Sequence, residues 1–296
     1  MEITSWRTFL MKKEIPGWKF FVGAVLAFVT MFVSQIASQI GAAGFDFLGA
    51  PDVVVNIVEA ILYPLFTFLG LKLLIDKMLK VRLKELRFSR VKLSIPGVII
   101  AILLPTIVIV TYMFTSGEWV ELEAASSEKA VIIITGILHH SLAAAMVEEM
   151  VFRGIIMGLL EKWSNIKVAV ILPSIIFGAI HIANGAISPM SAVLLVVGGT
   201  AVGILFSLLC YHFDNLWNNI LVHACWNATT FGVMHIGLEQ EKNAVYTYVL
   251  KMKSMLLTGG DYGIDASIIS VSAYIVFIIV LIVLIKNKKT NGEKDV

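Results

Sequence analysis

The sequence predicts an all-α protein, a polytopic bundle of about eight transmembrane helices (seven to eight). Of its 296 residues, 58% are hydrophobic and only 15% are charged, whereas soluble globular proteins are about 45–50% apolar and about 25% charged. Apolar runs of about 20 residues, the length that crosses a bilayer, recur along the chain. No repeat or long linker separates them, so residues 1–296 are expected to form a single integral membrane domain.

Each expected span is an apolar run bounded by charged or turn-forming residues. The first run exceeds the roughly 7–15 residues of a signal-peptide core, which favours a retained span over a cleaved signal. The runs are 18–40, 53–75, 95–115, 130–160, 168–184, 189–210, 216–236 and 266–285. The fourth to seventh runs contain polar residues, and these decide the functional interpretation.

The loops between the spans differ in charge. The 76–92 loop is basic, whereas the 41–52 and 116–128 loops carry mainly acidic residues. Because Lys and Arg accumulate in short cytoplasmic loops, both termini are predicted to be cytoplasmic and the protein to be multi-pass in the cell membrane. The 76–94 segment is interpreted as a positive-inside signal, with an amphipathic helix on anionic headgroups as the alternative.

The charge and cysteine content exclude other classes. The net charge of +2 is too small to predict a nucleic-acid partner, so the lipid bilayer is the expected surrounding. Cys210 and Cys225 lie in apolar surroundings and do not indicate a disulfide scaffold.

Three charged residues share one expected span. Each costs roughly 2.5–3.5 kcal/mol at the centre of a membrane helix, so their presence needs a reason. Glu149 and Arg153 stand four apart and can pair on one helix face. Glu148 points about 100° away from Glu149. Glu149 is therefore interpreted as a supporting residue and Glu148 as the working carboxylate; a salt-bridge network that only orients helices is the alternative.

Two later spans contribute further polar residues. His181 ends the run Phe177-Gly-Ala-Ile-His, and His223 stands four residues before Asn227 on one helix face. At about 1.5 Å per residue, Glu148, His181 and Asn227 each lie roughly 20 Å from loops on the same side of the membrane. The three helices are therefore expected to bring these groups to a similar depth.

This combination of residues is suited to hydrolysis. A carboxylate beside a neutral imidazole, here Glu148 and His181, can hold and deprotonate water. The pair of His223 and Asn227 can stabilise the oxyanion of a tetrahedral intermediate. No cofactor is the favoured interpretation; a divalent metal such as zinc, held by Glu148, His181 and His223, is the alternative. No His-Glu-x-x-His run of the standard zinc proteases occurs.

Three motifs resemble those of the CPBP family, the CAAX proteases and bacteriocin-processing enzymes, also called the Abi family. They are Glu-Glu-x-x-x-Arg at 148–153, Phe-x-x-x-His at 177–181 and His-x-x-x-Asn at 223–227. The resemblance covers roughly 130–236 and implies an intramembrane endopeptidase, of glutamate type rather than metallo-type. It implies that Glu148 and His181 activate water, that His223 and Asn227 form the oxyanion hole, and that Glu149, Arg153 and Phe177 support them.

The resemblance implies a peptide or membrane-protein substrate. The Lys- and Ile-rich composition is typical of bacteria, where similar proteins are linked to bacteriocin immunity, peptide processing and regulation of sensor kinases. A non-catalytic membrane partner that regulates a sensor kinase or another membrane protein is the second hypothesis. A transporter or proton relay is the third, because intramembrane acids and histidines also occur there. The sequence does not define the oligomeric state.

Overall fold

A computed structural model describes residues 15–184, 188–230 and 232–292. These residues are mostly helical, and seven of their helices are long and apolar enough to cross a membrane. The long helices are α1 (Gly17–Phe47), α2 (Asp52–Leu74), α3 (Ile95–Met113), α4 (Ser126–Trp163), α5 (Ile166–Ile180), α6 (Pro189–Phe213) and α9 (Ile268–Gly292). Two shorter helices, α7 (Trp217–Asn227) and α8 (Met255–Thr258), lie between α6 and α9. The predicted fold class is confirmed.

The predicted span at 216–236 is wrong as a single helix. Helix α7 ends at Asn227, and the chain continues as a strand from Gly232. The hydroxyls of Thr229 and Thr230 donate to the carbonyls of Trp226 and Asn227, at 2.7 and 3.0 Å, which satisfies the last turn without further helix. Apolar composition did not reveal this stop.

A three-stranded sheet covers one end of the bundle. Its strands are β1 (Gly117–Glu121), β2 (Gly232–Gly237) and β3 (Ala244–Leu250). The order is β1-β3-β2, with β3 antiparallel to β1 and parallel to β2. Because β1 follows α3 and β2 follows α7, both helices end at this side of the bundle, which we call the strand face.

The opposite end, which we call the basic face, carries the 76–92 loop. Buried Arg87 of this loop lies 2.6 Å from Glu161 at the end of α4 and 3.5 Å from Asp214, which follows α6. Nζ of Lys162 lies 2.7 Å from Oε2 of Glu85. The loop is thus tied to the turns that follow α4 and α6.

The 76–94 segment is not one amphipathic helix. It contains a π-type turn that extends α2 to Leu79 and a single 3₁₀ turn at Leu83–Leu86. Leu79 and Leu86 are buried in the protein core. The apolar residues of the segment are therefore not all available to lipid.

Glycines allow α5 and α6 to pack closely. A Cβ on Gly199 would lie 2.6 Å from Cα of Gly178, and one on Gly203 would lie 2.8 Å from Cβ of Ser174. Such contacts let helix backbones approach one another in a membrane. This packing positions the end of α5, where His181 lies, against α6.

Candidate active site

The predicted pair of Glu149 and Arg153 is present in the core. Both residues are 0% exposed, and Nη1 of Arg153 donates to Oε1 of Glu149 at 3.0 Å. Nη2 of Arg153 donates to the carbonyl of Gly203 on α6 at 3.1 Å. The pair therefore links α4 to α6. These hydrogen bonds offset much of the free-energy cost of removing the two charges from water.

Aromatic rings surround the Arg153 guanidinium. Its Cζ lies 4.7, 5.4 and 5.7 Å from the ring centroids of Phe177, Phe206 and Phe152. A desolvated cation is stabilised by the faces of such rings. Phe177, the first residue of the second motif, thus contacts the supporting pair.

His223 lies between the two motif glutamates. Its Nδ1 is 2.8 Å from Oε1 of Glu149, and its Nε2 is 3.8 Å from Oε2 of Glu148. An ionised carboxylate only accepts hydrogen bonds, so Nδ1 carries a proton and donates to Glu149. In the neutral ring Nε2 would be an acceptor, and in the imidazolium it would be a second donor.

Glu148 occupies a different environment from its neighbour. Its side chain is 27% exposed, whereas that of Glu149 is fully buried. Its Oε2 is buried and has no hydrogen-bond partner among the described residues. Buried polar atoms are normally paired, so this oxygen can accept a hydrogen bond that the described residues do not supply.

A small pocket joins the remaining motif residues. It has a volume of about 70 Å³ and is lined by His181, His223 and Asn227. One water needs at least about 10–15 Å³ of such volume, so the pocket has room for several. Glu148 is not among its lining residues, but it lies near His223, which does line the pocket. The predicted gathering of the motif residues is observed, but a direct contact between Glu148 and His181 is not.

His181 lies where α5 gives way to a 3₁₀ turn. Its Nδ1 is 2.5 Å from the carbonyl oxygen of Phe177. Because a carbonyl only accepts, Nδ1 is the donor and Nε2 of the neutral ring keeps its lone pair. His181 can therefore accept a hydrogen bond from water in the pocket.

Asn227 ends α7 and connects it to α4. Its Nδ2 donates to the carbonyl of His140 at 3.2 Å. An amide nitrogen has two hydrogens, so one hydrogen remains for a ligand. The hydrogen bond that connects the helices is thus compatible with the predicted donation to an oxyanion.

Sequence reasoning missed Asn219. It is buried and its Nδ2 donates to Oε2 of Glu149, so this carboxylate accepts from Arg153, His223 and Asn219. The signal was present, since Asn219, His223 and Asn227 are four residues apart and share a helix face.

Asp265 and Tyr262, which also line the pocket, were missed as well. Oδ1 of Asp265 accepts from Nε1 of Trp226 at 2.6 Å. Burial raises the pKa of the Asp265 carboxyl above its usual value, and the Trp226 hydrogen bond opposes this. Burial and, secondarily, the Asp265 and Glu148 charges raise the pKa of Tyr262. Both residues lie in a segment just before α9 that shows no motif.

The alternative metal site has little geometric support. Across residues 15–184, 188–230 and 232–292, no group of three or more His, Cys, Asp or Glu side chains is spaced to hold a metal ion. The alternative ligand set of Glu148, His181 and His223 therefore does not fit as it stands, and the chemistry below is derived from the protein's own groups.

Comparison with known proteins places the motifs in a family region. Residues 129–229 match the model of the family described as type II CAAX prenyl endopeptidase Rce1-like. No curated protein and no solved structure matches the chain. The match contains all three motifs, and the CPBP resemblance predicted from them is confirmed. Over residues 129–229 the chain is thus similar to the Rce1-like, CAAX-protease-like intramembrane peptidases.

Proposed function

We propose that this protein is a glutamate-type intramembrane endopeptidase that hydrolyses a peptide bond with an activated water. The observation that carries the proposal is the chain of contacts from Glu148 through His223 to Glu149, beside a pocket lined by His181 and Asn227. The Rce1-like match supports it. The proposed substrate is a peptide or membrane protein, processed in bacteria for peptide maturation or bacteriocin immunity.

In the proposed reaction, water is held between the Glu148 carboxylate and Nε2 of His181. The water oxygen attacks the carbonyl carbon, and its proton passes to Glu148. As the C–N bond breaks, Glu148 returns this proton to the leaving nitrogen. A carboxylate that is only partly exposed is a suitable base because less water screens its charge than at the protein surface.

The oxyanion is proposed to bind to His223 and Asn227. Nδ1 of His223 already donates to Glu149 at 2.8 Å, so the ring must carry a second proton for Nε2 to donate to the oxyanion. Glu148 and Glu149 would then be balanced by Arg153 and His223. This balance accounts for two adjacent acids in a span that supplies only one arginine.

Cleavage of a defined peptide pool by the purified protein, read by mass spectrometry, tests the proposal. Glu148→Gln and His181→Ala are expected to abolish cleavage without changing the melting temperature by more than a few degrees. Glu128→Gln, an exposed glutamate at the start of the same helix, is the matched control and keeps activity. Full activity in both site variants would reject the mechanism.

A chelator arm separates the glutamate mechanism from the metal alternative. Exhaustive treatment with a strong chelator is expected to leave the cleavage rate unchanged. Loss of the rate on chelation and its recovery with zinc would support metal assistance instead.

A further inference from the structure

The two faces of the bundle differ in charge. Described acidic side chains dominate the strand face (Asp46, Asp52, Glu118, Glu121, Glu123, Glu128, Glu239, Glu241 and Asp261), where the cations are Lys129, Lys242, Lys251 and Lys253. On the basic face, the 76–92 loop alone holds seven cations against two acids. Short loops rich in Lys and Arg remain in the cytoplasm, so this asymmetry places the strand face outside the cytoplasm.

The site is sealed from the basic face along α4. Every residue from 149 to 160 is buried, which is about 18 Å of helix at about 1.5 Å per residue. The rings of Phe177 and Phe206, which contact the Arg153 guanidinium, also pack against the His223 ring. A peptide therefore has no open path along this helix from the cytoplasmic side.

Towards the strand face, the site borders an open cleft. The cleft has a volume of about 660 Å³ and is lined by residues of 235–241 and 253–263. Tyr262 lines both this cleft and the pocket of His181 and His223. The site and the cleft are thus separated by the segment that carries this one side chain.

Hydrogen bonds of Asp261 fix the segment around its neighbour Tyr262. The carboxylate of Asp261 accepts from the backbone N–H of Ser188, and the Asp261 N–H donates to Oγ of Ser191, at 2.8 and 3.0 Å. Gly259, Gly260 and Gly263 have φ values between 68° and 96°, which only glycine adopts readily.

A second cavity, of about 470 Å³, lies nearer the basic face. It is lined mainly by apolar residues of α2, α4, α7 and the 83–90 segment, including Met146, Met150 and Trp217. None of the motif residues lines it. This cavity is the alternative route by which a substrate could reach the site. Cysteine labelling discriminates between it and the cleft on the strand face.

We infer that the site is served from the strand face and that this face lies outside the cytoplasm. Resting on the proposed function, this assigns the substrate class: a polypeptide segment on the outer side of the membrane, either already translocated or exposed there by a membrane protein. The inference follows from the direction in which the polar cleft opens and from the charge of the opposite end.

Cysteine accessibility in intact cells tests the direction. Lys253→Cys in the cleft and Lys84→Cys on the basic face are matched exposed lysines, placed in a Cys225→Ala background because Cys210 is fully buried. With a membrane-impermeant maleimide, Lys253→Cys is expected to label in intact cells and Lys84→Cys only after permeabilisation. The reverse pattern would overturn the inference.

Access to the pocket itself is tested with a small, positively charged, impermeant thiol reagent. Asn227→Cys is expected to react in intact cells, and Tyr262→Cys serves as a second variant that leaves the motifs intact. Reaction of both only after permeabilisation would place the entrance on the basic face. Labelling needs no substrate, so absent cleavage together with the expected labelling would reject the peptidase and leave the access route standing.

Discussion

Oε1 of Glu149 lies 2.8 Å from Nδ1 of His223, in a part of the core where both residues are buried. The contact orients the imidazole and determines which nitrogen faces the pocket. A carboxylate behind a working histidine commonly has this positioning effect. In the proposed mechanism Glu149 is therefore a positioning residue for His223, and its neighbour Glu148 is the group that contacts water.

Replacing Glu149 with Gln tests this division. The variant keeps the shape but replaces the carboxylate that accepts from Nδ1 of His223, so cleavage is expected to fall by about 10–100-fold. The loss should appear in kcat, with KM nearly unchanged, and in a shifted pH profile of kcat. A uniform loss at all pH values would indicate a merely structural role.

Removing Arg153 should destabilise the fold. Arg153→Met leaves the buried Glu149 without its cation, which typically costs about 3–5 kcal/mol, measured as a lower melting temperature in detergent. Glu149→Gln/Arg153→Met should recover part of this loss. Lys129→Met, which breaks an exposed pair with Glu121 on the strand face, should cost at most about 1 kcal/mol. Equal losses in the two single variants would contradict the prediction.

Substitution of Asn219 tests the residue that the sequence motifs did not include. Asn219→Ala removes one donor from the buried Glu149 carboxylate, and a hydrogen bond to a charged group is worth about 1.5–3 kcal/mol. Both stability and cleavage should fall. Asn243→Ala, at an exposed position, is the control and should change neither.

Close packing of α5 and α6 should be sensitive to a single methyl group. Gly199→Ala would place a Cβ 2.6 Å from Cα of Gly178, forcing α5 outwards and displacing His181. Lower stability and lower activity are expected. Gly44→Ala on α1 meets nothing within 4 Å, and should be neutral or slightly stabilising. Wild-type behaviour of Gly199→Ala would refute the packing argument.

Asp265 and Asp261 should give stability changes of opposite sign with pH. The pKa of Asp265 is raised by burial, so its protonated form favours folding and wild-type stability falls as pH rises through the raised value. Asp265→Asn should be more stable than wild type at pH 7, with the difference vanishing in acid.

The pKa of Asp261 is lowered by hydrogen bonds from Ser188 and Ser191. Its stabilising effect is present above the ordinary pKa of an aspartate and is lost as pH falls. Asp261→Asn should therefore be less stable than wild type at neutral pH. Melting temperatures of the two variants and the wild type from pH 4 to 8 check both predictions. A difference between variant and wild type that does not vary with pH would contradict the pKa shift assigned to that aspartate.

Local signals in the chain were sufficient for most of the helices. Hydropathy located the seven long helices because a span must satisfy its own backbone and expose apolar side chains to lipid. It failed at 216–236, where apolar strand residues follow a short helix, because a short apolar run has no distinctive period. The sheet was missed as well, because β1 and β3 are far apart in the sequence and no hairpin turn joins them.

By itself the sequence determined the membrane fold, the three motifs and the pairing of Glu149 with Arg153, since an i, i+4 contact needs only a helix. Tertiary structure alone decided that His223 lies between the two glutamates, that Asn219 completes the shell of Glu149, and that Asp265 and Tyr262 line the pocket. The direct contacts join residues 70 to 75 positions apart, and no local pattern encodes them because side-chain packing between helices sets their register.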